Sequence, residues 1–284
     1  MRRLPTRIRI CASLLILVGA AVAGSPSVHA ESPPAADRKA PAEAGMVLIP
    51  AGEFIMGSDR TDPKPPKGFV MLKPRYLDER PARKVSLPAF RIDGYEVTNA
   101  QYGEFVQRAK RPPPPFWQEG RFPLGAADHP VTQVTWADAR DYCRWAGKRL
   151  PTEAEWEKAA RGADGREFPW GNEFDPKKAN TGLSAQRGLA PVGSLAAGKS
   201  PYGVHDMAGN VWEWVEDWYR PYPGSTYTSD YFGERVKVIR GGGWEGTHHD
   251  SSYQYRAAYR FFAPPDLPLG DTGVRCAQDA APSP

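Results

Sequence analysis

Several common signatures are missing from this 284-residue chain. It has no glycine-rich phosphate loop, no Walker motif and no Gly-x-Ser-x-Gly elbow, which removes the usual sequence grounds for nucleotide binding or serine-hydrolase chemistry. No internal repeat is visible. Cysteine is scarce, at three residues, and neither Cys143 nor Cys276 has an adjacent histidine or second thiol that would activate it. The apolar run at 10–23 is too short, and too soon followed by Ser, Pro and Glu, to make a good membrane span. A basic surface is missing too. The 37 Lys and Arg against 33 Asp and Glu fall to 33 against 33 once Arg2, Arg3, Arg7 and Arg9 are set aside, so no nucleic-acid footprint follows from charge.

Those four arginines belong to a leader. Residues 1–30 run from a charged start through the apolar stretch to Val28-His29-Ala30, the order of a secretory signal peptide cut after Ala30, and a periplasmic location is expected. Residues 31–45 hold three prolines and no apolar periodicity and read as a flexible tether; 46–284 read as one folded domain. Cys11 leaves with the leader. The remaining pair, Cys143 and Cys276, is either a disulfide, worth about 4–5 kcal/mol for a loop of more than a hundred residues, or two buried thiols.

Within the domain, 46–50 and 52–57 read as two short strands separated by a Pro-Ala-Gly turn, and 84–87 and 90–92 as two more. Residues 59–81, polar and rich in proline, read as a long surface excursion. Three helices have visible starts. One is capped at Thr98 with Gln101 three residues on, and four prolines stop it beyond Arg111. The second begins near Thr135 and ends at Gly147; the third is capped at Thr152 with Glu155 and closes at Gly162. Beyond Gly162 regular patterning fades, and the loops need pins. The stretch 202–218 supplies one: Trp212, Trp214 and Trp218 within seven residues demand burial, each aromatic hiding on the order of 150–250 Å². Asp206, Asn210, Glu213, Glu216 and Asp217 lie among them, and the Gly209 turn would let oxygens converge on a hard cation.

The segments 45–57, 96–102, 130–136, 147–157, 168–172, 209–214 and 240–244 resemble, in order and spacing, the formylglycine-generating-enzyme (sulfatase-modifying factor) family. The likeness covers about residues 45 to 280. It implies an α+β domain of C-type-lectin-like fold with little regular secondary structure, and a disulfide between Cys143 and Cys276. It also implies structural calcium held by the side chains of Asp206 and Glu213 and the carbonyls of Gly209 and Val211. A second calcium site would use Asn180 and the carbonyl of Thr181, although its downstream aspartate has no counterpart in the shortened 182–191 segment.

The chain departs from the family between Trp244 and Arg256. Catalytic members carry two copper-binding cysteines there; this chain has none, and Ser252 stands about where the second would be. A hydroxyl does not replace a thiolate as a soft Cu(I) ligand, so a copper-thiolate formylglycine generator is not expected. The chain looks like a cysteine-less branch of the family that matures the peptide siderophore pyoverdine. That likeness implies oxidation of a dihydroquinoline precursor to the aromatic chromophore; the alternative is a catalytically inert module that binds a peptide or siderophore precursor. Oxidation needs a base, a polar clamp and an electron acceptor such as dioxygen. His248, His249, Asp250 and Glu245 are candidates for the base. Arg256, Arg260, Tyr255 and Ser252 are candidates for the clamp, with Trp244 as a wall. The two histidines and Asp250 also suit a metal site or a plain solvated loop.

Overall fold

Each helix begins at a threonine whose side chain and backbone exchange hydrogen bonds with the residue three positions on. In the computed structural model, which describes residues 45–61, 76–245 and 252–280, α1 (Asn99–Arg108) follows the Thr98–Gln101 box, α2 (Trp136–Trp145) the Thr135–Asp138 box and α3 (Glu153–Arg161) the Thr152–Glu155 box. Each pair satisfies two otherwise orphaned N–H groups, and such a cap is worth about 1 kcal/mol. Gly147 and Gly162, at φ 73° each, turn the chain out of α2 and α3. The leader and, apart from Gly45, the tether lie outside the described residues, among which no helix is long and apolar enough to cross a membrane.

The strands are short and fall into three sheets. β1 (Val47–Ile49) and β2 (Gly52–Met56) are neighbours in sequence but part company: β1 pairs with β4 (Phe90–Ile92), and β2 with β3 (Arg83–Leu87). β4 in turn pairs with β9 (Ala277–Asp279), so the two ends of the domain meet in one sheet. The largest sheet runs β7 (Phe261–Ala263), β6 (Lys237–Arg240), β5 (Trp212–Trp218), β8 (Thr272–Gly273), with β5 and β8 parallel and the other pairs antiparallel. This is the expected α+β architecture, most of it irregular.

β5 is the axis of the core. Trp212 and Trp214 are fully buried, whereas Trp218 at the strand's end is only half-buried. Their neighbours anchor the irregular parts by indole N–H bonds: Trp214 Nε1 donates to the Val134 carbonyl at 2.9 Å and Trp136 Nε1 to the Val215 carbonyl at 2.9 Å. The disulfide joins Cys143 of α2 to Cys276 just before β9, across 133 residues. Both cysteines are wholly buried, which makes the bond a tie between the helical layer and the closing strand.

One reading from sequence needs correcting. The end of the 59–81 excursion is not surface: Asp78 and Glu79 are buried in a 3-10 turn (Leu77–Glu79). The reason is electrostatic. Glu79 takes both Nη atoms of Arg256, at 3.1 and 2.8 Å, and Asp78 accepts from Tyr219 Oη at 2.8 Å. A web of enclosed ion pairs continues inward, with Arg240 on Glu153 and Glu157, Arg161 on Glu157, and Arg260 on Glu153. At its far side Glu213 holds Arg275 through two bonds, 2.9 and 2.7 Å, and accepts Trp156 Nε1 at 2.7 Å. Glu213, Arg275 and Trp156 are all at 0% exposure.

Removing one partner from such a pair leaves an uncompensated buried charge, at a cost of about 3–5 kcal/mol. Glu213→Gln should therefore lower the unfolding free energy by that amount in a urea titration; a change below about 1 kcal/mol, as for an exposed pair, would show that the carboxylate carries little of the fold.

Candidate functional site

The glycines after β6 bring two carboxylates to one face. Gly241 and Gly242 sit at φ 96° and 82°, a region costly for other residues, and swing the chain back towards β8. Gly243 is needed for a different reason: a Cβ there would overlap the Asp271 carboxylate and press on the Trp212 ring. Asp271 is held from behind as well, its carbonyl accepting from Trp212 N at 2.8 Å. Its carboxyl is partly shielded, and burial, with the charge of Glu245 as the second cause, pushes its pKa up to about 6. Glu245 itself is exposed, and Trp244 beside it is half-buried, with its backbone N–H on the Asn210 carbonyl at 2.9 Å.

This face contains some of the residues singled out from sequence and excludes others. Glu245 and Trp244 retain accessible surface on it, and Ser252 is half-buried at the start of the 3-10 turn Ser252–Tyr255. His248, His249 and Asp250 lie outside the described residues. Tyr255, Arg256 and Arg260 do not form an open clamp. Tyr255 is buried, stacked on Phe174 at 6.0 Å, with its hydroxyl accepting from Gly182 N at 3.0 Å. Arg256 is enclosed between Glu79 and Glu167, at 2.8 and 2.6 Å. Arg260 bonds Glu153 and donates to the carbonyls of Asp78 and Arg220. Their guanidiniums hold the underlying segments together, because acids far away in sequence fold over them.

Asp271 was not foreseen. Nothing local marks it, since it precedes a two-residue strand and looks like an ordinary turn aspartate; the third glycine of the Gly241–Gly243 run was the only hint of a close approach. A carboxyl with a pKa near 6 can give or take a proton close to neutrality, the condition general acid–base catalysis requires.

The expected calcium ligands Asp206, Gly209 and Val211 lie on the turn before β5, Glu213 lies within β5, and Asn180 and Thr181 lie on a separate loop joined to that turn by Asn210 N on the Asn180 carbonyl at 2.7 Å. Among the described residues no three His, Cys, Asp or Glu side chains gather in a way that could hold a metal, so any cation there would depend on carbonyl and amide oxygens as well. Asp206, at φ 57°, accepts from Gly193 N at 2.6 Å. Glu213 Oε2 already takes two donors and Oε1 one. Gly209 is pressed against the Asn180 carbonyl, where a Cβ would clash, and Val211 follows Asn210 into β5. The second site fits poorly: the Thr181 carbonyl accepts both Ser184 N, at 3.0 Å, and Ser184 Oγ, at 2.7 Å, which occupies its two lone pairs. The Asn180 side-chain oxygen, by contrast, is buried without a partner.

Comparison with known proteins agrees with this architecture. The profile of the sulfatase-modifying factor enzyme 1-like domain matches residues 31–280. The formylglycine-generating enzyme of Bos taurus is 34% identical over 296 residues, covering 84% of this chain and 75% of that protein. The hercynine oxygenase of Mycolicibacterium smegmatis is 37% identical over 264 residues, covering 75% of this chain and 59% of that protein. Among solved structures, PvdO from Pseudomonas aeruginosa superposes with a TM-score of 0.63 at 27% identity, covering 83% of this chain and 94% of PvdO. With a profile spanning nearly the whole folded region and relatives above 30% identity, the chain belongs to the formylglycine-generating-enzyme (sulfatase-modifying factor) family.

Proposed function

We propose that this protein, exported to the periplasm, oxidises a dihydroquinoline precursor of the peptide siderophore pyoverdine to its aromatic chromophore. The observation that carries the reading is the pairing of a missing copper-thiolate site with an acid–base group: no cysteine lies between Trp244 and Arg256, yet Asp271 sits at that face with a carboxyl near pKa 6. Likeness to PvdO and to an oxygenase within one family supports an oxidative role.

The oxidation removes two electrons and two protons from the precursor. In this scheme ionised Asp271 takes the carbon-bound proton, the second proton leaves from the ring nitrogen, and the electron pair passes to dioxygen, which takes up both protons, the one on Asp271 included, and leaves as hydrogen peroxide. Trp244 offers an aromatic wall to the planar substrate and Ser252 a hydroxyl for its polar edge. Glu245 acts through its charge, keeping the Asp271 carboxyl basic enough to work near neutrality. Calcium, in this reading, is structural and takes no part in the step.

Air-saturated incubation of the purified protein with the dihydro precursor, followed by chromophore absorbance, tests the proposal. Turnover above buffer is expected. No turnover with retained precursor binding would instead support an inert binding module.

The pH profile follows from the sign of the Asp271 shift. The base works ionised, so the rate should be low below about pH 6 and reach its plateau above it. Asp271→Asn should abolish that limb and slow turnover by about 10²–10⁴-fold. An unchanged profile in the variant would remove Asp271 from the mechanism.

A further inference from the structure

The far end of β5 borders a cleft of its own. Asp271 bonds the start of that strand, at Trp212, whereas Glu216, Asp217 and Trp218 at its end line a hollow of about 500 Å³ together with residues of β3, α3 and the 220–223 turn. Six residues of strand, on the order of 20 Å, separate the two places.

Two cations face this hollow without an acid. Lys237 opens β6 opposite Trp218 and is only 3% exposed. Its ammonium sits between the Trp136 and Trp218 rings, at 3.9 and 4.0 Å, and spends one of its three N–H donors on the Glu216 carbonyl, at 2.7 Å. Arg83 of β3 lies over the Tyr222 ring at 3.9 Å. Its Nη2 meets the Met56 sulfur at 3.2 Å, and its buried Nη1 has no hydrogen-bond partner among the described residues. Neither side chain enters an ion pair among the described residues.

The acids lining the same hollow are turned elsewhere. Asp217 Oδ2 accepts from Glu153 N, at the start of α3, at 2.7 Å; Glu153 itself is held by Arg240 and Arg260, and Glu216 is exposed. Burial, and after it the charge of Glu153, pushes the Asp217 carboxyl up to about 6, so near neutrality it supplies less negative charge than a free aspartate. A buried cation without a counter-charge carries a desolvation cost that a bound anion offsets. The N-terminal end of α3, whose first residues border the hollow, adds positive potential. The rest of the lining selects among anions: Trp218, Tyr222 and Pro223 present apolar surface, and the nearby carboxyls repel a doubly charged phosphate more than a single carboxylate.

We propose that this cleft is a second binding site, which takes the carboxylate of an organic ligand on Arg83 and Lys237 and its apolar body against Tyr222 and Trp218. It shares no residue with the Asp271 face and stands independently of the oxidation proposed above.

Calorimetric titration of the purified protein with phenylacetate, N-acetylphenylalanine, phenylacetamide and phenyl phosphate tests it. Both carboxylates should bind, and phenylacetamide, which lacks the charge, should bind at least about tenfold more weakly. Tighter binding of N-acetylphenylalanine would point to the end of a peptide as the source of the carboxylate, and tighter binding of phenylacetate to a free acid; either supports the site. Arg83→Met, which keeps an apolar stem over Tyr222, should weaken both carboxylates about tenfold and leave phenylacetamide unchanged. Pro223→Trp, at an exposed position on the rim, should block every ligand, and it keeps the test decisive if Arg83→Met fails to fold. Equal binding of acid and amide, no binding of either, tighter binding of phenyl phosphate, or carboxylate binding that the folded variants leave unchanged would overturn the inference.

Discussion

The ion pair between Glu213 and Arg275, with the Trp156 indole closing its third side, is the constraint on which the other contacts depend. Glu213 lies in β5, Trp156 in α3 and Arg275 between β8 and β9. Satisfying one carboxylate therefore fixes the helix, the central strand and the closing segment against one another. The disulfide repeats part of that connection, since Cys276 follows Arg275 directly. In a domain with so little regular structure, contacts of this kind substitute for extended sheets: Arg161, Arg240, Arg260 and Arg275 each hold a loop by charge-assisted bonds to an acid and to backbone carbonyls, and Arg256 does so through two acids.

The candidate face is built on that frame and adds little to it. Gly243 and Asp271 approach each other closely because β6 and β8 flank β5, and the approach partly desolvates a carboxyl that an isolated loop would leave fully wet. A function reached by oxidation without cysteines is compatible with this division. The frame common to the family can stay while the residues over it change, since the ion pairs that stabilise the fold are not those proposed to move protons.

Much of the fold was legible in the sequence because its signals are local. Three threonine caps, glycine exits and the Trp212–Trp214 pair announce helices and core within a few residues of where they act. The disulfide followed from family likeness and agreed with the cysteine arithmetic. Strand partners were not legible: β4 joins β1 and β9 from opposite ends of the domain, and three-residue strands have no periodicity that could specify register. The arginines misled for the same reason. Arg256 lies 177 residues from Glu79 and 89 from Glu167, so a guanidinium that is neutralised in the fold looked available in a loop. Asp271 escaped notice because its character comes from neighbours brought in by folding.

The central claim is that Glu213 and Arg275 act as one unit that positions the core. A double-mutant cycle with Glu213→Gln, Arg275→Met and the pair, followed by urea unfolding, measures it most directly. The account predicts a coupling energy of about 2–3 kcal/mol, the double variant losing less than the sum of the singles because neither leaves a buried charge alone. Losses that add to within about 0.5 kcal/mol would contradict it.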